Sequence, residues 1–267
     1  MVPEDQIRVI LSILISVPLG FSIRYLPKPY NKYFSLIAAL VIQIYVYREE
    51  IYLSVLFHIF IYVFIYFKGR NCGFIVTVVS LLLLSGYHIY RMAVDYGSWT
   101  LDVSTILMGN VCKYSLFAYS YQDGGQDIDK LKTVDQKSER IAILPSFVDF
   151  MGYCLFLPTC VVSTPITYYK YDEYINKRLC FSHIPFLDSL KAILHDFTVA
   201  IGCACVYFFG VVYFPLSLIS TPTFTDNSFL YVLGYSQLSI YLYHWKYFFA
   251  FKLCMLPIHS SGISYNP

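Results

Sequence analysis

The sequence predicts an all-α protein, a polytopic bundle of transmembrane helices, and three observations carry that expectation. Of 267 residues, 57% are hydrophobic and 13% charged; soluble domains carry about a quarter charged residues, so this chain cannot cover itself with a water-soluble surface. The apolar residues fall in long runs. A spanning helix needs about 20 of them, because in hydrocarbon each backbone amide must be satisfied within its own segment. The 27 Tyr and 22 Phe suit both a packed helical interior and the headgroup belt where a ring meets water.

About eight membrane segments are expected, at residues 8–23, 34–47, 51–67, 73–90, 103–121, 141–164, 192–219 and 228–256. The first begins in MVPEDQIRVILSILISVPLGF, with acidic residues before Arg8 and no small-residue cleavage site, and reads as a retained span rather than a removed signal. The second, FSLIAALVIQIYVY, is short for a full crossing and fits a tilted, re-entrant or bent element. Between the fifth and sixth, residues 122–140 form the one long polar stretch, with charges of both signs, and must sit in water. The connection 168–191 mixes Lys170, Asp172, Glu173, Lys177 and Arg178 with Tyr168, Tyr169, Tyr171 and Tyr174, as an interface does. Lys and Arg are in slight excess on the side holding 24–33, 68–71 and 122–140, which the positive-inside rule makes cytoplasmic. No repeat or low-complexity segment divides the chain, so residues 1–267 are expected to form a single membrane domain.

Composition also excludes function classes. A formal charge of +2, with no basic tail or stripe, removes the electrostatic footprint of a nucleic-acid partner. Six of the eight cysteines, Cys112, Cys154, Cys160, Cys203, Cys205 and Cys254, lie in apolar runs and read as small buried hydrophobes rather than a disulfide framework. Cys203 and Cys205 point roughly 200° apart on a helix and do not easily share a metal. No phosphate-binding loop, dinucleotide motif, nucleophile elbow or zinc helix is present.

Polar residues inside apolar runs are the functional candidates, with bundle packing as the competing explanation for each. His58 in IYLSVLFHIFIYVF has no acidic or cysteine neighbour at helical spacing and reads as a hydrogen-bonded core histidine. Tyr87, His88, Arg91, Asp95 and Asp102 gather at the end of an apolar helix, where either a headgroup site or an interface anchor fits. Arg91 and Asp95, spaced i, i+4, would pair on one face. Lys113 must snorkel, pair or face a wet cavity, and a cavity or interface role is favoured. His195 and Asp196 read as interface polarity, since adjacent residues diverge on a helix. His244 and His259 show no carboxylate nearby to orient them and read as structural.

Four stretches then occur in order. LSGYHIYRM at 84–92 is followed by DYGSWTLDVS at 95–104; a helix ends in LFAYSYQDGGQD at 116–127, closing on Asp123 and Gly124. LPSFVDFMGYCLFLPTCVVSTP spans 144–165, and HWKYFFAFKLCMLPIHSSGISYNP spans 244–267. Together they resemble the membrane-bound O-acyltransferase family, in the branch that reacylates lysophospholipids from acyl-coenzyme A. The resemblance covers roughly residues 80–267. One departure is that Ser163, Thr164 and Pro165 stand where the family has Gly-Pro; glycine there would allow backbone conformations that Thr resists.

The resemblance implies acyl transfer to a lysophospholipid hydroxyl in a helical chamber, in an integral membrane protein of the endoplasmic reticulum. Acyl-CoA is the co-substrate, with no metal or other cofactor; membrane lipids and lysophospholipid are the partners. On that footing Tyr87, His88, Arg91 and Lys113 are the expected substrate-binding residues. The family's base is a histidine in a Trp-His-Gly setting, aided by an earlier asparagine, and both are expected beyond residue 267. None of the six histidines sits in that setting, and His244 precedes its tryptophan, so no catalytic residue is assigned and the chain is expected to be incomplete relative to the family. The alternatives are a non-catalytic lipid- or partner-binding bundle derived from this family and, more weakly, a transporter or channel lined by Arg91, Asp95 and Lys113. The sequence sets no headgroup preference and no oligomeric state.

Overall fold

The computed structural model describes residues 4–97 and 102–265, so residues 98–101 of the DYGSWTLDVS stretch lie outside the described residues. Among the described residues it is helical, with no strand. The long helices are α1 (Glu4–Tyr25), α2 (Tyr30–Tyr47), α3 (Ile51–Lys68), α4 (Gly73–Val94) and α5 (Ser104–Asp123). Short helices follow, α6 (Val134–Ser138), α7 (Phe147–Cys154) and α8 (Tyr168–Ile175). Then come α9 (Phe186–Tyr213), the single turn α10 (Pro222–Thr225) and α11 (Phe229–Ser261).

Among the described residues, four stretches are long and apolar enough to cross a membrane: Glu4–Tyr25, Tyr30–Lys68, Gly73–Val94 and Phe186–Ser220. The expected count of about eight is not confirmed by these four. The second stretch holds α2 and α3, which fold back at a turn over Arg48–Glu50, where Arg48 takes a positive φ of 52°. Both arms return to the start of α7: Lys32 Nζ lies 2.6 Å from Asp149 Oδ1, and Tyr62 donates to the Pro145 carbonyl at 2.9 Å. Helices α5 and α11 are diluted below spanning hydropathy by residues such as Asn110, Lys113, His244, Lys246 and Lys252.

The segment expected over 141–164 is corrected most. Its helix, α7, stops at Cys154, a single 3₁₀ turn covers Leu157–Thr159, and the chain then turns through 160–163. Pro158 explains the break, because it has no N–H to donate and its ring clashes with the preceding turn of an α-helix. The expected connection 168–191 also divides: its first part is α8 and its end, from Phe186, already belongs to α9. Tyr168, Tyr171 and Tyr174 are not an interfacial belt but part of the core, where Phe117 meets Phe150 edge-on at 4.9 Å and Tyr153 meets Tyr168 at 5.6 Å. In the polar 122–140 stretch, Thr133 and Gln136 close a reciprocal cap on α6.

Two close approaches hold the bundle. Helix α9 packs along α11, and α1 packs on the end of α11, where a Cβ on Gly20 would lie 2.2 Å from Ser260 Oγ. The cysteines are all free; Cys112 and Cys205 are exposed rather than buried, and Cys203 and Cys205 fall on different sides of α9.

The Lys32–Asp149 tie yields a pH prediction. Burial raises the Asp149 carboxyl, but hydrogen bonds from Lys32 and Ser146 and the Lys32 charge outweigh it and hold the group below the usual carboxylate range. A depressed folded pKa adds stability that is present above the unfolded value, about 4, and is lost as pH falls through the folded one. Thermal unfolding in detergent between pH 7 and pH 3, values chosen to bracket roughly that range, should show Lys32→Met losing stability at the upper end and converging on the parent at the lower end.

Candidate functional site

The fold-back order of α1 to α5 sorts the charged residues to two ends. At one end lie the loops at 26–33, 68–72, 122–146 and 176–185, tied together by Lys177 Nζ donating to the Arg24 carbonyl at 2.9 Å and Arg70 donating to the Ala142 carbonyl. Most of the 19 Lys and Arg residues sit here. A pocket of about 370 Å³ opens at this end, with Arg24, Lys177 and His183 among Tyr174, Phe181 and Phe186. The opposite end holds Arg8, Arg48 and Arg91 among Glu4, Glu50, Asp95 and Asp102.

Between the ends runs a buried polar seam around residues 154–163. Irregular backbone at membrane depth persists only where protein satisfies its polar groups, and here side chains from α2 and α5 do so. Ser35 Oγ accepts from Leu157 N at 3.1 Å, Gln43 Nε2 donates to the Cys160 carbonyl at 2.8 Å, and the Tyr47 hydroxyl donates to the Val161 carbonyl at 2.6 Å. Lys113 Nζ donates to the Cys154 carbonyl and to Thr159 Oγ1, both at 3.0 Å. Ser163, at φ 51°, donates to Asn110 Oδ1, and Asn110 Nδ2 donates to Ser54 Oγ at 3.3 Å. His58 is the core histidine expected: it is buried, with Nδ1 2.6 Å from the Tyr114 hydroxyl and Nε2 3.5 Å from Ser54 Oγ.

The expected substrate-binding residues divide between these places. Tyr87 and Arg91 come together at the acidic end, where Arg91 contacts Asp102 at 2.7 Å, Asp95 at 3.2 Å and Glu50 at 3.9 Å. The Tyr87 hydroxyl donates to Glu50 Oε2 at 3.4 Å, and Val103 N donates to the same oxygen at 3.0 Å. His88 sits one residue round α4 and does not line the pocket beside this group. Lys113 does not join them either. It is fully buried in the seam, and its place nine residues past Ser104 puts it about 13 Å along α5 at 1.5 Å per residue.

Two features escaped the sequence. Glu50, which ties α4 to the start of α5, lies in the short gap between two apolar runs and looks there like a loop charge. Asp196 is buried and pairs with the Lys252 ammonium at 2.8 Å, with His259 Nε2 at 3.1 Å and His195 Nδ1 at 3.0 Å from its carboxylate. This corrects the expectation that His259 has no orienting carboxylate; its other ring nitrogen lies 2.8 Å from Ser264 Oγ. The partners are 63 residues apart, and only antiparallel packing of α9 on α11 brings them together.

Known proteins give this arrangement a context. The chain is 25% identical to a lysophospholipid acyltransferase of Schizosaccharomyces pombe, over 99% of this chain and 54% of that protein. It is 25% identical to lysophospholipid acyltransferase 2 of Arabidopsis thaliana over 73% of this chain and 42% of that protein. It is also 25% identical to lysophospholipid acyltransferase 6 of Drosophila melanogaster, over 72% of this chain and 28% of that protein. The chain thus spans about half the length, or less, of the curated relatives it matches. The family model for MBOAT, the membrane-bound O-acyltransferase family, matches residues 93–266. That range runs from the last turn of α4 through the seam to the end of α11, and the chain belongs to the membrane-bound O-acyltransferase family.

Proposed function

We propose that the protein transfers an acyl group from acyl-CoA to a lysophospholipid in the endoplasmic-reticulum membrane. The observation that carries this is the run of relatives named lysophospholipid acyltransferase, which match most of this chain at about 25% identity. In the reaction, the lysophospholipid hydroxyl attacks the thioester carbonyl, the C–S bond breaks, and coenzyme A leaves as the thiol with the hydroxyl proton. Positive charge is retained on the cytoplasmic side of membrane proteins, so the basic end faces the cytosol, and its pocket at Arg24, Lys177 and His183 suits a phosphate-rich donor arriving from there. Tyr87 and Arg91 at the other end serve the lysolipid headgroup. The seam at 154–163 shapes the chamber between them, with Lys113 holding its backbone rather than substrate.

No described histidine is assigned as the base that takes the hydroxyl proton. His58 is enclosed between Tyr114 and Ser54, and His259 is tied to Asp196 and Ser264. Microsomes expressing the protein, given labelled acyl-CoA and a panel of lysophospholipids, should form the diacyl product above a mock control. Absence of product with the protein correctly inserted would reject the enzyme reading and leave a lipid- or partner-binding bundle of the same family.

A further inference from the structure

At the acidic end a pocket of about 460 Å³ opens between α3 and α4, lined by Glu50, Tyr52, Phe57, Tyr87 and Tyr90 together with Leu53 and Leu83. Its walls follow from helical spacing: Leu83, Tyr87 and Tyr90 at i, i+4 and i+7 form one stripe of α4, and Leu53 and Phe57 at i, i+4 form the facing stripe of α3. The Tyr87 and Tyr90 rings lie 6.3 Å apart, tilted by 39°, so two π surfaces stand side by side next to the Glu50 carboxylate. The local charge is negative, because Glu50, Asp95 and Asp102 surround the single guanidinium of Arg91. Arg48, two residues before Glu50, pairs with Glu4 at 3.1 Å. An anionic group would meet this excess of carboxylate, whereas a cation over tyrosine faces beside a carboxylate gains from both.

We propose that this pocket binds the ammonium group of a lipid headgroup, choline or ethanolamine, and so gives the protein a preference for lysophospholipids that carry one. The proposal rests on the acyltransferase reading for its substrate but makes a separate claim about recognition. Tyr52 and Tyr90 are 63% and 59% exposed, which leaves the pocket open for a headgroup arriving along the membrane surface.

The test uses purified protein in nanodiscs of phosphatidylglycerol, which has no ammonium group, with labelled lysophosphatidylcholine and lysophosphatidylglycerol as probes. The parent should bind the choline probe roughly threefold to tenfold more tightly, the span of one cation–π contact at a partly exposed site. Tyr90→Leu should bring the ratio towards equality and Tyr90→Phe should keep it, because the ring and not the hydroxyl carries the interaction. Glu50→Gln should also lower the ratio while its side-chain oxygen still accepts the Val103 amide. Equal binding of the two probes by the parent, or an unchanged ratio in both Tyr90→Leu and Glu50→Gln, would overturn the proposal. Diacyl phosphatidylcholine competing as well as the lysolipid would keep the ammonium pocket and identify bilayer lipid as its source. Acyl transfer on the same panel separates the two claims: transfer without headgroup preference rejects this pocket alone, and headgroup preference without transfer rejects the enzyme reading alone.

Discussion

Gly109→Ala should markedly lower the stability of the protein. A Cβ there would lie 2.2 Å from the Ser163 carbonyl oxygen and 2.8 Å from its carbon, so the obstacle is backbone that no rotamer change removes. That backbone cannot drift freely, since Asn110 holds Ser163, Tyr47 holds Val161 and Gln43 holds Cys160. Overpacking a filled core destabilises by about 1–3 kcal/mol, and each buried polar group orphaned by the shift adds about 1–3 kcal/mol. Gly86→Ala on α4 is the control, because nothing lies within 4 Å of its Cβ position, and alanine within a helix is favoured over glycine by about 0.5–1 kcal/mol. Thermal unfolding in detergent should show a clear loss for Gly109→Ala and none for Gly86→Ala; equal stability of the two variants would refute the close approach of α5 to the buried turn.

The second large effect is expected from Asp196→Ala. Asp196 joins α9 to α11 through Lys252 and His259, and its removal leaves the Lys252 ammonium on an apolar bundle without its counter-charge. Removing one partner of a buried pair destabilises by about 3–5 kcal/mol; the Lys252 side chain is 37% exposed, so the loss should fall below that range. The double variant Asp196→Ala/Lys252→Leu should recover part of it, since an apolar pair replaces an unmatched charge. A double variant less stable than Asp196→Ala would show that Lys252 acts independently of the carboxylate.

How much of this was legible in the sequence depends on distance along the chain. Both ends of α3 and the start of α4 follow from apolar runs and punctuation by Gly and charge, all local signals. Arg91 with Asp95 was visible for the same reason, being an i, i+4 pair. The segment 141–164 misled because its hydropathy is that of a span, while Pro158 makes it a buried turn that depends on donors from α2 and α5. Lys113 stood out as a polar residue in an apolar run, yet its acceptors, a main-chain carbonyl and a threonine 41 and 46 residues away, leave no pattern in sequence. Asp196 looked like an interfacial charge because its partners lie one long hairpin away. Family membership was carried by the order of four motifs, a signal stronger than any single polar residue in them.

The central claim is acyl transfer itself, and its most direct test is a balance of products from purified protein reconstituted in lipid. Thiol released from acyl-CoA should require lysophospholipid and should equal, mole for mole, the diacyl phospholipid formed. Thiol release that continues without lysophospholipid, or no release from correctly folded and inserted protein, would contradict the account.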